Sequence, residues 1–362
     1  MKQHVAVFFG GKSNEHDISI ITGVYAVNLL RGAGYKVYPV YLPRGGGMCY
    51  ADVESVKDLT NSNLKPVPCY LFDGGLWSVK KRKKLFAVDV ALNCCHGGMG
   101  EDGTLSAVLK WNRIPSASPD TAISSVFMDK WLGKIAVRGL NIPAARAVCV
   151  KEGERVPLEE VGGFPVIIKP VALGSSIGIK IARNDEELKC ALEYAFRLDG
   201  AVLVEEYFES KRDINCAAYR KDGNVVTSPL EEVFSNEAIL SFHEKYEKAA
   251  KRSELPANVP EELTEQIKSY TATIYEAFSC RGVVRADFLI VDGRAYFNEL
   301  NTVPGSLSCY LFGESLTDAR DFLSSLIEEA ATYQEKEKEI ITTTVLDSAV
   351  FAGGKGSKRR RG

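Results

Sequence analysis

The chain of 362 residues is too long for one small core and predicts two or three domains. Its composition, 45% hydrophobic and 25% charged, is typical of a globular protein, and a net charge of −2 excludes a general attraction to nucleic acid or to a membrane. The apolar run at residues 5–9 is too short for a signal peptide, and nine cysteines without CxxC spacing indicate neither a disulfide framework nor a zinc site, so we expect a cytoplasmic protein.

The first part of the chain predicts a parallel sheet covered by helices. Residues 5–9 read as a buried strand that ends at Gly10-Gly11, residues 19–31 have apolar residues at helical spacing, and residues 36–42 read as a second strand. A strand at 89–93, a glycine-rich loop at 96–103 and a helix at 104–112 follow. Residues 115–119, with a proline at each end, mark the first domain boundary.

Two further units follow this boundary. The second contains predicted helices at 121–137 and 185–198 and strands at 166–169, 178–182 and 201–205; the third contains strands at 214–219, 224–226, 283–290 and 295–301 and a helix at 263–278. The predicted domains are therefore residues 1–118, 119–206 and 207–335. Residues 336–362 end in a basic cluster, for which solvated disorder is a simpler explanation than an acidic partner.

The last two predicted strands carry the residues that are most informative about function. Residues two apart in a strand face the same side of the sheet, so Arg285 and Asp287 share one face of their strand, and Glu299 and Asn301 share one face of theirs. A three-residue loop with Gly293 in the left-handed region would give a register that places Asp287 on the face of Glu299 and Asn301. Two carboxylates and an amide form an oxygen-rich site for Mg²⁺ carrying nucleotide phosphates. The alternative is a solvated face of an edge hairpin.

Phosphate binding is predicted without a P-loop. Gly11-Lys12-Ser13 lacks the earlier glycine of that motif, because Ala6 stands there. A strand instead delivers Lys169, and the turn at 174–178 exposes amides and the hydroxyls of Ser175 and Ser176, which can fold over phosphates as a lid. A buried lysine stem beside a plain hairpin turn is the alternative.

Two other groups suggest ligand contacts. The strand end at 203–208 offers Glu205 to an adenine amine, backbone groups at Glu206, and the rings of Tyr207 and Phe208, although an ordinary strand end would look the same. Glu15 can bind an amine or simply cap a helix.

Taken in order along residues 4–330, these pieces resemble the ATP-grasp family and, within it, the D-alanine–D-alanine ligases. The segments that carry the resemblance are Phe9-Gly10-Gly11-Lys12-Ser13-Asn14-Glu15, residues 96–104 from His96 to Thr104, Met128-Asp129-Lys130, Ile168-Lys169-Pro170 with residues 174–178, and residues 298–305 from Asn298 to Gly305. The resemblance implies a three-domain ATP-grasp α/β fold, α+β overall, with an N-terminal α/β domain that binds the first amino acid and two α+β domains that clamp ATP.

The resemblance also implies roles for individual residues. ATP would contact Lys130, Lys169, Ser175, Ser176, Glu205, Glu206, Tyr207, Phe208, Asp213, Lys245 and Leu289, and two Mg²⁺ (or Mn²⁺) ions would be held by Asp287, Glu299 and Asn301. The first D-alanine would meet Glu15, Ser175 and His96, with Tyr246 closing over the site. Arg285 and the Gly305 amide would stabilise an oxyanion, and Tyr310 and Leu311 would hold the carboxylate of the second D-alanine.

The implied reaction forms an acyl phosphate from ATP and the first D-alanine, which the amine of the second D-alanine then attacks, to make D-alanyl-D-alanine for peptidoglycan. ATP and amino acids are thus the expected partners of a homodimer. Three features depart from the family pattern. Asp213 replaces a glutamate at the ribose, and the hairpin between Asp287 and Glu299 is short. Tyr310 replaces a serine, so its hydroxyl would have to donate the hydrogen bond that the serine gives to the carboxylate of the second D-alanine.

Other functions of the same scaffold remain open at this point. The acceptor can be D-serine, D-lactate or another amino acid. Tyr246 argues against D-lactate, because the related depsipeptide ligases have a histidine at this position of the loop. The nearby His243 nevertheless leaves D-lactate open as an acceptor. A non-catalytic nucleotide-binding paralogue would be expected to have lost a metal carboxylate or Arg285, and none is lost.

Overall fold

Three β-sheets organise residues 2–60, 65–234 and 252–333, which are the residues that the computed structural model describes. Lys245, Tyr246, His243 and the tail predicted at 336–362 lie outside these ranges. The helices among the described residues are His16–Gly32, Val56–Thr60, Thr104–Trp111, Thr121–Met128, Lys130–Arg138, Asp185–Phe196, Glu261–Ala277 and Leu316–Ala331. Short 3-10 helices occur at Gly98–Gly100, Leu158–Val161 and Gly305–Leu311.

The first sheet contains the strands His4–Gly10, Lys36–Leu42, Met48–Tyr50, Val67–Phe72, Gly75–Ser78, Lys84–Ala87 and Val90–Asn93. The predicted parallel pairing is observed around the first strand, which pairs with Lys36–Leu42 on one side and Val90–Asn93 on the other. Strands that the sequence patterns left unassigned extend the sheet in antiparallel pairing. They escaped detection because they are short and several of their apolar residues face solvent.

The second sheet is antiparallel and has the order Lys180–Ala182, Val166–Pro170, Ala201–Glu206, Ala147–Lys151. The single helix predicted at 121–137 is wrong. Asp129 leaves the helical region (φ −86°, ψ 107°), and its side chain accepts a hydrogen bond from the Leu132 amide at 2.9 Å, so a new helix begins at Lys130. The break turns the chain so that the Lys130 amide bonds to the Val171 carbonyl at 3.1 Å.

The third sheet has the order Arg252–Glu254, Glu231–Phe234, Arg212–Lys221, Val284–Val291, Arg294–Asn301, with Asn224–Thr227 paired to Arg212–Lys221. Helix Glu261–Ala277 packs its apolar side on this sheet and buries Tyr275 completely. The Tyr275 hydroxyl donates to the Gly282 carbonyl at 2.8 Å, which satisfies its polar atom in the core and holds the start of the next strand.

The hairpin of Val284–Val291 and Arg294–Asn301 corrects one prediction. Its loop has two residues, Asp292 and Gly293, both with positive φ, rather than three. This tight loop would put the strands in the wrong register for the site, but a β-bulge follows: Phe288 pairs with Phe297, whereas Asp287 pairs with Glu299. The extra residue, Asn298, restores the predicted register, so Asp287 and Glu299 share one face.

Candidate functional site

A cavity of about 510 Å³ is lined by strand residues of the second and third sheets and by residues in loops next to the first sheet, Glu15, His96 and Glu101. Of the predicted site residues, the structure places these around the cavity: Glu15, His96, Lys130, Lys169, Ser175, Ser176, Glu205, Glu206, Tyr207, Phe208, Asp213, Arg285, Asp287, Leu289, Glu299, Asn301, Gly305 and Tyr310. Leu311 is the exception among the described ones, because its side chain is 2% exposed and packs in the interior. Lys245 and Tyr246 lie outside the described residues.

A row of polar residues crosses the third sheet. Glu231 pairs with Asn215, Asn215 with Asp287, and Asp287 with Glu299, so all four side chains face the cavity from neighbouring strands. The sequence analysis found the second half of this row and missed Glu231 and Asn215. Only the strand register, which is not visible in local sequence, brings them into line with the hairpin.

The predicted metal ligands are close together and already hydrogen-bonded. The Arg285 guanidinium binds both oxygens of Asp287, with Nε to Oδ1 at 2.7 Å, and the Asn301 side-chain amide donates to Asp287 Oδ2 at 2.9 Å. Glu299 lies 3.9 Å from the Lys130 ammonium. Within the described residues no group of three His, Cys, Asp or Glu side chains clusters as a metal centre. Two carboxylates and an amide nevertheless fit Mg²⁺, which usually takes one or two protein carboxylates together with substrate phosphates.

Arg285 is a fixed cation in this site. Burial lowers the pKa of its guanidinium, but the Asp287 carboxylate outweighs that effect and the net pKa is raised. Tyr310 and Glu231 add to the rise, which places both near the guanidinium.

A buried ion triad lies beside the predicted adenine pocket. Glu205 contacts the Lys134 ammonium at 3.1 Å and the Lys169 ammonium at 2.7 Å, and all three side chains are less than a tenth exposed. Burial raises the pKa of Glu205, but the two ammonium groups outweigh it and hold the pKa at about 2. Burial also lowers the pKa of Lys134. The sequence analysis did not predict Lys134 as a site residue. Its spacing of four residues from Lys130 on one helix was the available signal.

Lys169 also reaches the hairpin. Its ammonium donates to the Asn298 side-chain oxygen at 3.2 Å, so the bulge residue supports the lysine predicted to bind phosphate. Lys130 contacts the residue just before the turn at 174–178, called the lid turn below, since its ammonium donates to the Leu173 carbonyl.

Glu15 meets the lid turn. Although Glu15 stands at the start of helix His16–Gly32, within the described residues its side chain makes no capping hydrogen bond to that helix. The Ser175 hydroxyl donates to it instead, and the Gly174 backbone lies so near that an added Cβ would be 2.9 Å from Glu15 Oε2. Ser175 and Ser176 both have left-handed φ values, 54° and 59°, which shape the turn.

His96 lines the cavity with a nearly buried ring, and its predicted contact with the first D-alanine stays a prediction. The ring is 4% exposed, with Nδ1 2.8 Å from the Val303 carbonyl and Nε2 2.8 Å from the Thr22 hydroxyl. Glu101, for which the sequence analysis predicted no role, also lines the cavity. Burial raises the pKa of its carboxyl group; His96 lowers that pKa, and Glu15 and Glu299 raise it further. Spacing within the glycine-rich loop gave no hint of this.

The other end of the cavity is aromatic and mixed in charge. The Phe208 and Tyr296 rings lie 5.3 Å apart. The Asp213 carboxylate binds the Lys211 ammonium at 2.7 Å, and Arg146 holds the Glu206 carboxylate at 2.6 Å. Lys211 was not predicted, and its pairing places a cation beside Asp213.

Tyr310 lines the cavity as predicted. Its predicted contact with a substrate carboxylate stays a prediction, and in this structure the hydroxyl donates to Glu231 Oε2 at 2.9 Å. Asn215 donates to the same oxygen at 2.9 Å. Just upstream, Ser306, Leu307 and Ser308 have consecutive left-handed φ values near 50°, a costly backbone for non-glycine residues.

Comparisons with known proteins give a consistent result. Family models described as the N-terminus and the C-terminus of D-ala D-ala ligase match residues 4–119 and 139–331. The D-alanine–D-alanine ligase of Thermosipho africanus is 32% identical over 96% of this chain and 99% of its own, and that of Clostridium acetobutylicum is 32% identical over 92% and 99%.

Solved structures are similar as well. The D-alanine–D-alanine ligase of Helicobacter pylori superposes with a TM-score of 0.73 at 26% identity, covering 90% of this chain and 98% of that one. The VanG D-Ala:D-Ser ligase of Enterococcus faecalis gives a TM-score of 0.77 at 26% identity, covering 91% and 98%. Among the described residues, no helix has the length and apolar character needed to cross a membrane.

Proposed function

The chain belongs to the D-alanine–D-alanine ligase family, and from that premise we propose that it joins two D-alanines through an acyl phosphate to make D-alanyl-D-alanine for peptidoglycan. It is an ATP-dependent ligase with the ATP-grasp fold. The observation that supports the proposal best is that Glu15, Lys169 and the carboxylates of Asp287 and Glu299 line one cavity.

The nucleotide would be held by cations at its phosphates. Lys130 and Lys169 supply point charges, and Ser175 and Ser176 supply hydroxyls on a turn that can cover the phosphates. Glu205 fixes the Lys169 ammonium and keeps oxygen lone pairs that can accept from an adenine amine.

Phosphoryl transfer to the first D-alanine is the activating step. Glu15 would bind its ammonium group, with Ser175 holding the Glu15 carboxylate in place. Asp287, Glu299 and Asn301 would hold Mg²⁺, which when bound neutralises charge on the phosphoryl oxygens and the substrate carboxylate. The carboxylate oxygen takes the γ-phosphoryl group and ADP leaves, which converts a poor leaving group into phosphate.

Peptide bond formation then needs a cation near the carbonyl. The amine of the second amino acid attacks, and Arg285 with the Gly305 amide would stabilise the charge on the tetrahedral oxygen before phosphate departs. The partly buried, permanently charged Arg285 is suited to that role because its charge does not have to be created during the reaction. Tyr246 and Lys245 keep their proposed roles in closing the site and contacting phosphate, although they lie outside the described residues.

Further parts of the proposal rest on the family resemblance or on sequence patterns and not on the geometry of the site. They are the identity of the metal as two Mg²⁺ ions, with Mn²⁺ as a substitute, the homodimer, the cytoplasmic location, and the domains 1–118, 119–206 and 207–335. Turnover with a metal panel and light scattering of the purified protein test the first two.

The deciding experiment measures phosphate release from ATP and Mg²⁺ against D- and L-amino acids and D-lactate, with mass spectrometry of the product. We expect release that depends on D-alanine and a product of two joined D-alanines. Nucleotide binding without phosphate release under any condition would favour a non-catalytic paralogue, and a depsipeptide product would favour the D-lactate alternative.

A further inference from the structure

The contact between Tyr310 and Glu231 has a defined direction. A tyrosine hydroxyl carries a single proton, and Glu231 Oε2 accepts it at 2.9 Å. Asn215 donates to that same oxygen and so fixes the carboxylate in position. Burial raises the pKa of the Tyr310 hydroxyl, with Arg285 opposing and Glu231 adding to the rise, so the proton stays on tyrosine. Toward the cavity, the Tyr310 oxygen therefore offers lone pairs and no donor.

The two charges nearest this pair, Glu231 and Arg285, are of opposite sign, and they differ in how far they are already compensated. Glu231 is 3% exposed and lines the cavity, and the Arg285 guanidinium is bound by both oxygens of Asp287. A substrate carboxylate placed against Tyr310 would meet a second anion and find no hydrogen-bond donor on the tyrosine. A hydroxyl or ammonium group at this position would instead donate to the Tyr310 oxygen beside a favourable negative charge.

We infer that Glu231 is a specificity-determining residue that, through Tyr310, selects a second amino acid whose side chain carries a hydrogen-bond donor, a hydroxyl or an ammonium group. The inference rests on the proposed function, an ATP-dependent ligase with D-alanine as its first substrate, and it replaces D-alanine with an amino acid of this class as the preferred second substrate. D-serine is the smallest amino acid of this class.

Two acceptors of nearly equal size isolate the effect of the donor. D-serine and D-2-aminobutyrate differ only by a hydroxyl in place of a methyl group. With D-alanine as the first substrate, we expect kcat/KM for D-serine to exceed that for D-2-aminobutyrate by about 100-fold or more, because a site built to bind a hydroxyl discriminates strongly against its absence. The mixed dipeptides are quantified by mass spectrometry. Equal use of the two acceptors overturns the inference.

Variants identify the residues responsible. Glu231→Gln removes the charge with little change in shape, and Tyr310→Phe removes the hydroxyl; each should lower the D-serine preference about tenfold or more. Glu232→Gln is the matched control, because this neighbouring carboxylate pairs with Arg212 at 2.8 Å and lies outside the cavity lining. Its preference should equal that of the unaltered chain. An unchanged preference in both Glu231→Gln and Tyr310→Phe, with thermal unfolding showing folded protein, overturns the assignment.

The outcomes separate this inference from the function on which it rests. Absence of ATP-dependent phosphate release with every amino-acid pair removes the proposed function and this inference together. Release with D-alanine, but with D-serine and D-2-aminobutyrate accepted alike, removes the inference and leaves the ligase.

Discussion

Glu299 pairs with Asp287 across the bulged hairpin, and its charge is the feature that a metal would use. Glu299→Gln removes that charge and keeps the shape, so we expect turnover to fall by about 100-fold or more while the thermal unfolding midpoint barely changes. Phosphate release measures the first quantity and circular dichroism the second. Glu254→Gln, on an exposed outer strand, is the control with normal activity. Near-normal turnover of Glu299→Gln would remove this residue from the mechanism.

Glu205 should make stability depend on acidity. Its pKa in the folded chain is about 2, below the ordinary 4.5, so its contribution is complete above pH 4.5 and is lost as the pH falls toward 2. Glu205→Gln leaves Lys134 buried beside a neutral amide, and we expect the free energy of unfolding at pH 7 to fall by about 3 kcal/mol. Urea denaturation at several pH values should show this difference shrinking in acid. A difference of constant size between pH 7 and pH 3 would argue against a buried charged triad.

Individual residues differ in how far sequence alone could place them. Asp287, Glu299 and Lys169 were found because strand alternation and a glycine-rich turn constrain where their side chains lie. Glu231, Asn215 and Lys134 were missed, since their place depends on which strands or helices become neighbours. Local sequence does not encode that choice, and the direction of the Tyr310 proton follows from it as well.

At the level of elements, the hairpin shows a prediction that was right for the wrong reason. The expected three-residue loop is absent, and the bulge at Asn298 supplies the extra residue instead. A sequence signal was present: the buried positions Ala295 and Phe297 are two apart, but the next, Leu300, follows after three. The break at Asp129 likewise ended a helix that apolar spacing alone extended, because a capping aspartate outweighed periodicity.

The lid turn yields a prediction at the same scale. A Cβ added to Gly174 would lie 2.9 Å from Glu15 Oε2, and its φ is not in the left-handed region, so Gly174→Ala should displace Glu15 without straining the backbone. We expect the KM of the first D-alanine to rise about tenfold or more, with a smaller change in the KM of ATP. Steady-state kinetics with each substrate varied provides the measurement.

Gly200→Ala is the matched control for that variant, since nothing lies within 4 Å of an added Cβ there and its φ is ordinary. Its constants should equal those of the unaltered chain. An equal rise of both KM values in Gly174→Ala would indicate a general disturbance of the lid rather than displacement of Glu15.

For the whole molecule, the residues to Thr332 form one compact unit, and the family models end at residue 331. A chain that ends at Tyr333 keeps this unit and the whole matched region, so it should keep kcat/KM within about twofold and the same unfolding midpoint. Kinetics and calorimetry of the shortened chain test this. A large loss of activity would show that the basic terminus contributes to catalysis.

Under the proposed function, the hydrogen bond of Ser175 to Glu15 would connect the turn that covers the ATP phosphates to the residue that binds the first amino acid. Two ligands that share one movable segment are thermodynamically linked, and linkage is reciprocal. ATP analogues should therefore tighten the binding of D-alanine by the same factor by which D-alanine tightens theirs. With cooperativity of this kind, the occupied fraction of the enzyme would depend on the concentrations of ATP and D-alanine together. A low concentration of either substrate would then weaken the binding of the other.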